Sequence, residues 1–178
     1  EAISRLEREG LVVRSYHRSP VVRVFSEKDV IELYDVREGL EELTVRLACR
    51  NLDEAGIEEL ERTQLAGEEC LRAGDLACYG KRCNEAFHAL LLKAAQNERL
   101  AAIMRTIRAQ VNYLIATTVR IPGTPQKSIA EHRKIIDALR RKDSPEAEAL
   151  MRAHIRRAKE DMLRYLQGRS PDGVGGSN

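Results

Sequence analysis

From Ser26 to Gln167 the sequence is a succession of apolar stripes at helical spacing, and each stripe is restarted by its own capping signal. No stretch in this span alternates with the period of two that a half-buried strand requires. Ser26 followed by Asp29 predicts a capping box, opening a helix that runs to about residue 50 with the stripe Val30, Leu33, Leu40, Thr44 and Leu47. Asp53 opens a second helix, and Asp75, just after Gly74, opens a third that carries Leu76, Tyr79, Cys83, Phe87 and Leu91. A fourth starts near Asn97 and places Leu100, Ile103, Ile107, Val111, Leu114 and Thr118 three or four residues apart. The segment IPGTPQ then breaks the chain, Thr124-Pro125 reads as an N-cap and first-turn pair for a fifth helix, and Ser144-Pro145 reads the same way for a sixth. The fold class that follows is all-α, an antiparallel six-helix bundle over residues 26–167.

Residues 1–25 are different in kind. EAISRLERE places Ile3 and Leu6 on one helical side before Gly10, and the β-branched runs LVVRS and PVVRVF around Tyr16-His17-Arg18-Ser19 read as a hairpin. So small a piece cannot bury a core of its own. The chain lacks an initiator Met and begins in mid-pattern, so a truncated sequence is expected. Residues 168–178, GRSPDGVGGSN, read as a disordered tail.

Charge narrows the function. The five arginines and three acids of residues 1–25 account for the whole net charge of +2, because residues 26–178 carry 25 basic against 25 acidic side chains. A protein coated in phosphate contacts needs a larger surplus. Seven aromatics are too few for an RNA-stacking sheet, and no apolar run approaches a membrane span. Cys49, Cys70, Cys78 and Cys83 form no C-x-x-C pair, which argues against a zinc site built on cysteine and for free thiols in a cytoplasmic protein.

The histidines carry the chemistry. His88, His132 and His154 all fall in apolar stripes, and Asn84 precedes His88 by one turn on the same face, about 6 Å away. His132 and His154 are equidistant from Asp143, where the chain turns between the fifth and sixth helices. In an antiparallel hairpin they stand at equal height, about 15 Å from the turn, and can face each other. A single His on an apolar stripe is most often a core residue bonded to a neighbour. Three of them, two in mirror register and one with an oxygen ligand a turn away, favour a shared metal ion, since burying polar rings unpaired costs about 1–3 kcal/mol each. Neutral imidazoles and a carboxamide suit a borderline divalent cation, Zn²⁺ first, with Ni²⁺, Co²⁺ or Mn²⁺ as alternatives.

The runs N-E-A-F-H at 84–88, E-H-R-K-I-I-D-A-L at 131–139 and A-x-x-L-M-R-A-H-I at 147–155 resemble the effector-binding (FCD) domain of FadR-type regulators in the GntR family. EAISRLEREGLVVR resembles the end of a recognition helix and the wing of a winged helix-turn-helix, V-R-E-G-L-E at 36–41 resembles the start of the effector domain, and six helices match the VanR-like subgroup. The resemblance covers residues 1–167. It implies three parts: a DNA-binding remnant at 1–25, a metal-dependent effector and dimerisation domain at 26–167, and a tail at 168–178. It also implies a metal held by Asn84, His88, His132 and His154, where many relatives carry Asp in place of Asn84; the neutral amide leaves the ion's charge available to an anionic ligand.

A small organic acid is the effector that follows. Arg37 sits on the stripe of the first long helix, and the resemblance makes it a carboxylate clamp; the other reading pairs it with Glu41 at the surface. Asn112, Thr118 and Ser128 are further candidates for the effector pocket, and Arg14, Arg18 and Arg23 for DNA contact. The expected activity is that of a homodimeric, cytoplasmic transcription regulator, not an enzyme, whose DNA binding responds to metal and acid. A metal-dependent hydrolase is the competing class, since three histidines with an open position also describe hydrolytic zinc sites. Against it, Glu85 and Glu131 neighbour ligands in sequence and are expected to face elsewhere. A purely structural bundle is the third.

Overall fold

The computed structural model describes residues 2–13 and 19–168. A short helix α1 (Ala2–Arg8) leads into strands β1 (Val12–Val13) and β2 (Val21–Val22), which pair antiparallel with Val12 opposite Val22. The hairpin turn with His17, and the expected disordered tail beyond Gly168, lie outside the described residues.

The rest is helical: α2 (Glu27–Asn51), α3 (Glu54–Arg72), α4 (Leu76–Tyr79), a π-helical segment (Gly80–Glu85), α5 (Ala86–Ala94), α6 (Glu98–Thr118), α7 (Thr124–Arg140) and α8 (Ser144–Leu166). α4, the π segment and α5 run on without a break, so the bundle has the six expected helical runs. The caps at Ser26, Asp53, Asp75 and Asn97 each accept a backbone N–H of their helix, and Asp29 answers the N–H of Ser26 to close the box.

Three local expectations are corrected. Gly123, left-handed at φ 81°, precedes α7 and makes Thr124 its first residue, with the Thr124 N–H closing on the Ile121 carbonyl. Asp143, not Ser144, caps α8: its carboxylate accepts from the Glu146 N–H, while the Ser144 hydroxyl donates to Glu148. Cys70 and Cys78 are joined as a disulfide, their Cα atoms 5.6 Å apart, because the turn at Gly74 folds α4 back against the end of α3; Cys49 and Cys83 are free.

α2 and α8 form the most extensive helix pair. Their outer edge is laced by Asp35–Lys159, Glu38–Arg156, Glu42–Arg152 and Arg46–Glu148, all at 3.0 Å or less. Numbers rise on one helix as they fall on the other, so the two run antiparallel. Each exposed pair contributes little alone; together they select this register. Inside, the buried face of α2 carries Val30, Leu33, Tyr34, Arg37, Glu41, Thr44 and Val45, while Leu40 and Leu47 are only half-buried. Val30, Leu33 and Thr44 of the predicted stripe thus face inward as expected, and a charged pair, Arg37 and Glu41, occupies the middle of that face.

Gly67 lets α3 touch the π segment. A Cβ there would stand 2.6 Å from both Cβ and Sγ of Cys83. Gly67→Ala is expected to destabilise the fold by about 1–3 kcal/mol by overpacking this contact, measured by urea unfolding. Ser26→Ala is expected to cost about 1 kcal/mol by loss of the cap. Hydrogen bonds from Ser26, then Arg23, hold the Asp29 carboxyl down to about 2, so its contribution is full above the usual carboxylate range and is lost as pH falls from about 4 towards 2. Asp29→Asn should flatten that part of the pH–stability curve.

Candidate metal centre

The turn between α7 and α8 sets His132 and His154 at equal height, and their Nε2 atoms meet at 3.3 Å. His88, brought in on α5, completes a cluster in which one nitrogen from each ring lies within 4.8 Å of the others. His132 and His154 are buried and His88 nearly so. Phe87 stacks on His132 with ring centroids 3.9 Å apart and fixes its plane.

The hydrogen bonds behind the rings decide which nitrogen carries the proton. Gln64 Nε2 donates to Thr63 Oγ1 at 2.6 Å, and the Thr63 hydroxyl is itself committed to the Leu60 carbonyl. Gln64 therefore presents Oε1 to His132 Nδ1 at 3.1 Å, and the Cys83 thiol donates to the same oxygen. His154 Nδ1 lies 2.6 Å from Glu131 Oε2, a carboxylate gripped by Arg157 through Nε and Nη2. Arg37 Nη2 stands 3.4 Å from His88 Nε2 and can only donate. Acceptors thus take the Nδ1 protons of His132 and His154, whose Nε2 atoms carry lone pairs facing each other, while the Nε2 lone pair of His88 faces Arg37. Burial, and after it the neighbouring rings and arginines, holds His132 and His154 well below the ordinary imidazole range, so both are neutral.

Two neutral imidazoles with lone pairs aimed at each other at 3.3 Å repel unless a cation lies between them. Acceptors behind the rings are the arrangement found around metal-bound histidines, where they fix the tautomer and raise ligand basicity. The residues present fit a divalent ion.

Asn84, in the π segment, is buried and borders both cavities that flank the cluster. The larger, about 270 Å³, is bordered by Arg37, Glu41 and His88 at its inner end and walled by α5 and α6. The smaller, about 20 Å³, is bordered by Thr118, Thr124, Ser128, His154 and Arg157. Among the expected effector residues, Arg37 borders both cavities, Asn112 the larger, and Thr118 and Ser128 the smaller. Ser128 Oγ accepts from Arg157 at 2.9 Å.

Arg37 does pair with Glu41, at 3.5 Å, but deep in the bundle rather than at its surface, both side chains being 3% exposed or less. Burial alone would raise the Glu41 carboxyl, yet the His88 ring 3.1 Å away and the Arg37 guanidinium hold it below the usual carboxylate range. Among the described residues Arg37 Nε, Glu41 Oε2 and His88 Nδ1 have no hydrogen-bond partner. The expectation that Glu131 faces away from the ligands is also corrected: it reaches across from α7 to α8, while Glu85 pairs with Arg108. Sequence reasoning misses Gln64, Glu41 and Glu131 as partners of the rings. Their signal is present as polar residues on inward helical positions.

Arg23 is tied to Asp29 and lies over the Phe25 ring; Arg14 and Arg18 lie outside the described residues. α6, which walls the larger cavity, also meets the N-terminal segment. Gln110 Nε2 donates to the Glu9 carbonyl at 3.2 Å, and the Tyr113 ring lies 5.5 Å from that of Phe25.

Residues 32–157 match the FCD domain family. The Nta operon transcriptional regulator of Aminobacter aminovorans is 26% identical over 170 residues, covering 94% of this chain and 78% of that protein. Among solved structures, McbR/YncC of E. coli superposes with a TM-score of 0.82 at 17% identity, over 93% of this chain and 82% of the other. A GntR family transcriptional regulator from Pseudomonas syringae pv. tomato gives 0.66 at 21% identity, over 95% and 70%. Such likeness shows the fold.

Gln64→Ala leaves His132 Nδ1 and the Cys83 thiol without their acceptor. The expected loss is about 1–3 kcal/mol of unfolding free energy, measured by urea titration.

Proposed function

The chain belongs to the FCD-domain family of GntR-type transcription regulators, and from that premise we propose that its bundle holds a divalent cation and senses a small organic acid. His88, His132 and His154 are the nitrogen ligands and Asn84 supplies a carboxamide oxygen. The observation that carries this reading is the 3.3 Å approach of two Nε2 lone pairs whose Nδ1 protons are spoken for. When bound, the ion supplies an electropositive centre with exchangeable positions for a carboxylate. Zn²⁺ suits the donor set best, with Ni²⁺, Co²⁺ or Mn²⁺ as alternatives.

The chain's own residues do the rest. Arg37 adds positive charge at the inner end of the cavity, and Asn112, Thr118 and Ser128 offer polar contacts to the acid or to ordered water. Arg14, Arg18 and Arg23 supply contacts to operator DNA in the full regulator, working as a cytoplasmic homodimer. α6 supports a route between the two functions, since it walls the cavity with Ile107, Val111 and Ile115 and grips the DNA-binding remnant with Gln110 and Tyr113. An acid that favours one placement of α6 biases the placement of that remnant. A hydrolytic reading draws no support: of the carboxylates that contact the histidines, Glu131 is gripped by Arg157 and Glu41 lies buried beside Arg37 at 3.5 Å. Among the described residues no helix is long and apolar enough to cross a membrane.

Metal stripping tests the reading. A ligand at a hundred times its Kd stabilises by about 2.7 kcal/mol, so chelation should lower Tm by on the order of 5–10 °C, reversed by Zn²⁺. His132→Ala should abolish the response to Zn²⁺. A Tm indifferent to both chelator and Zn²⁺ would leave a purely structural bundle.

A further inference from the structure

We infer that the acid taken by this site is an apolar monocarboxylate of about six to eight carbons, its head at Arg37, Asn84 and His88 and its tail along α6. This rests on the metal-and-acid reading above and narrows it to one chemical class.

The larger cavity is graded from end to end. Its inner end is polar and largely buried, formed by Arg37, Asn84 and His88 together with Glu41, whose carboxylate is offset by Arg37 at 3.5 Å, so that the net attraction for an acid's head there comes from the proposed cation. Its middle is aliphatic, walled by Leu92, Ala101, Met104, Ile107, Val111 and Ile115. Its mouth carries three exposed cations, Lys93, Arg105 and Arg108, against the carboxylate of Glu85. A positive mouth draws anions in. The carboxylate then travels to the inner end, where the buried polar groups lie.

The aliphatic middle sets the specificity. Asn112 offers that wall one carboxamide, enough for a single hydroxyl or carbonyl. A sugar acid would bury a row of hydroxyls against methyl groups with no partners, each costing free energy, and a second carboxylate would cost more. A hydrocarbon tail loses nothing there and gains from its own burial. Size points the same way. At about 30 Å³ for each water-sized group, a cavity of about 270 Å³ takes roughly nine non-hydrogen atoms, the size of hexanoate or octanoate.

Isothermal titration of the zinc-loaded chain with acetate, hexanoate, octanoate, succinate and gluconate tests this directly. Affinity is expected to rise about fourfold per methylene from acetate to hexanoate. Gluconate and succinate are expected to bind at least tenfold more weakly than hexanoate. Ile107→Gln, at a half-buried position on the cavity wall, should erase most of the chain-length gain, with its Tm measured alongside to show that the variant is folded. Gluconate or succinate binding as tightly as hexanoate would overturn the assignment yet leave the metal-and-acid reading standing. A chain-length gain undiminished in Ile107→Gln would overturn the placement of the tail. No heat from any of the five acids, with zinc retained, would sink both this inference and the acid-sensing reading beneath it.

Discussion

Three clustered imidazoles, two of them buried with their lone pairs facing each other, are the constraint around which the bundle is built. Each needs something behind it to hold its proton and something in front of it to meet its lone pair. For His132 and His154 the protein supplies the first from Gln64 on α3 and from Glu131 on α7, which Arg157 on α8 holds in place; Glu41 on α2 stands 3.1 Å from His88 Nδ1. Groups this polar are costly inside a helical core unless they are paired or put to use. A buried ion pair is weak evidence of stability, and Arg37–Glu41 at the inner end of a cavity is better explained by the polar groups it brings beside His88.

That constraint accounts for features that look unrelated. The π segment sets Asn84 between the two cavities, and wide turns of this kind are common at functional sites. Gly67 lets α3 approach that segment, bringing Gln64 within reach of both Cys83 and His132. The ion-pair ladder between α2 and α8 fixes the register that sets Arg37 near the rings of α5 and α8. Packing and polar chemistry specify the same arrangement.

Much of this is legible in the amino-acid sequence. The caps at Ser26, Asp53, Asp75 and Asn97 are local signals, and local signals survive folding. The meeting of His132 and His154 follows from counting outward from a turn. The sequence misleads where two local solutions compete. Asp143 and Ser144 are both good caps, and only tertiary context selects the aspartate. The pairing of Cys70 with Cys78 depends on how sharply Gly74 turns the chain, which spacing does not reveal. The partners Gln64 and Glu131 are hidden because a period of 3.6 residues shows which way a side chain points, not what another helix brings to meet it. The α2–α8 ladder is readable in principle, as acids and bases at matching intervals on two helices. It needs the pairing of those helices to be known first.

The most direct measurement of the central claim is X-ray absorption at the zinc edge of the metal-equilibrated chain. The account predicts one ion per chain with about three imidazole nitrogens at about 2.0–2.1 Å, oxygen completing the shell and no sulfur. A fall to about two imidazole nitrogens, or loss of the metal, in His154→Ala would agree with it. A spectrum with sulfur at about 2.3 Å, or no retained metal after equilibration, would contradict it.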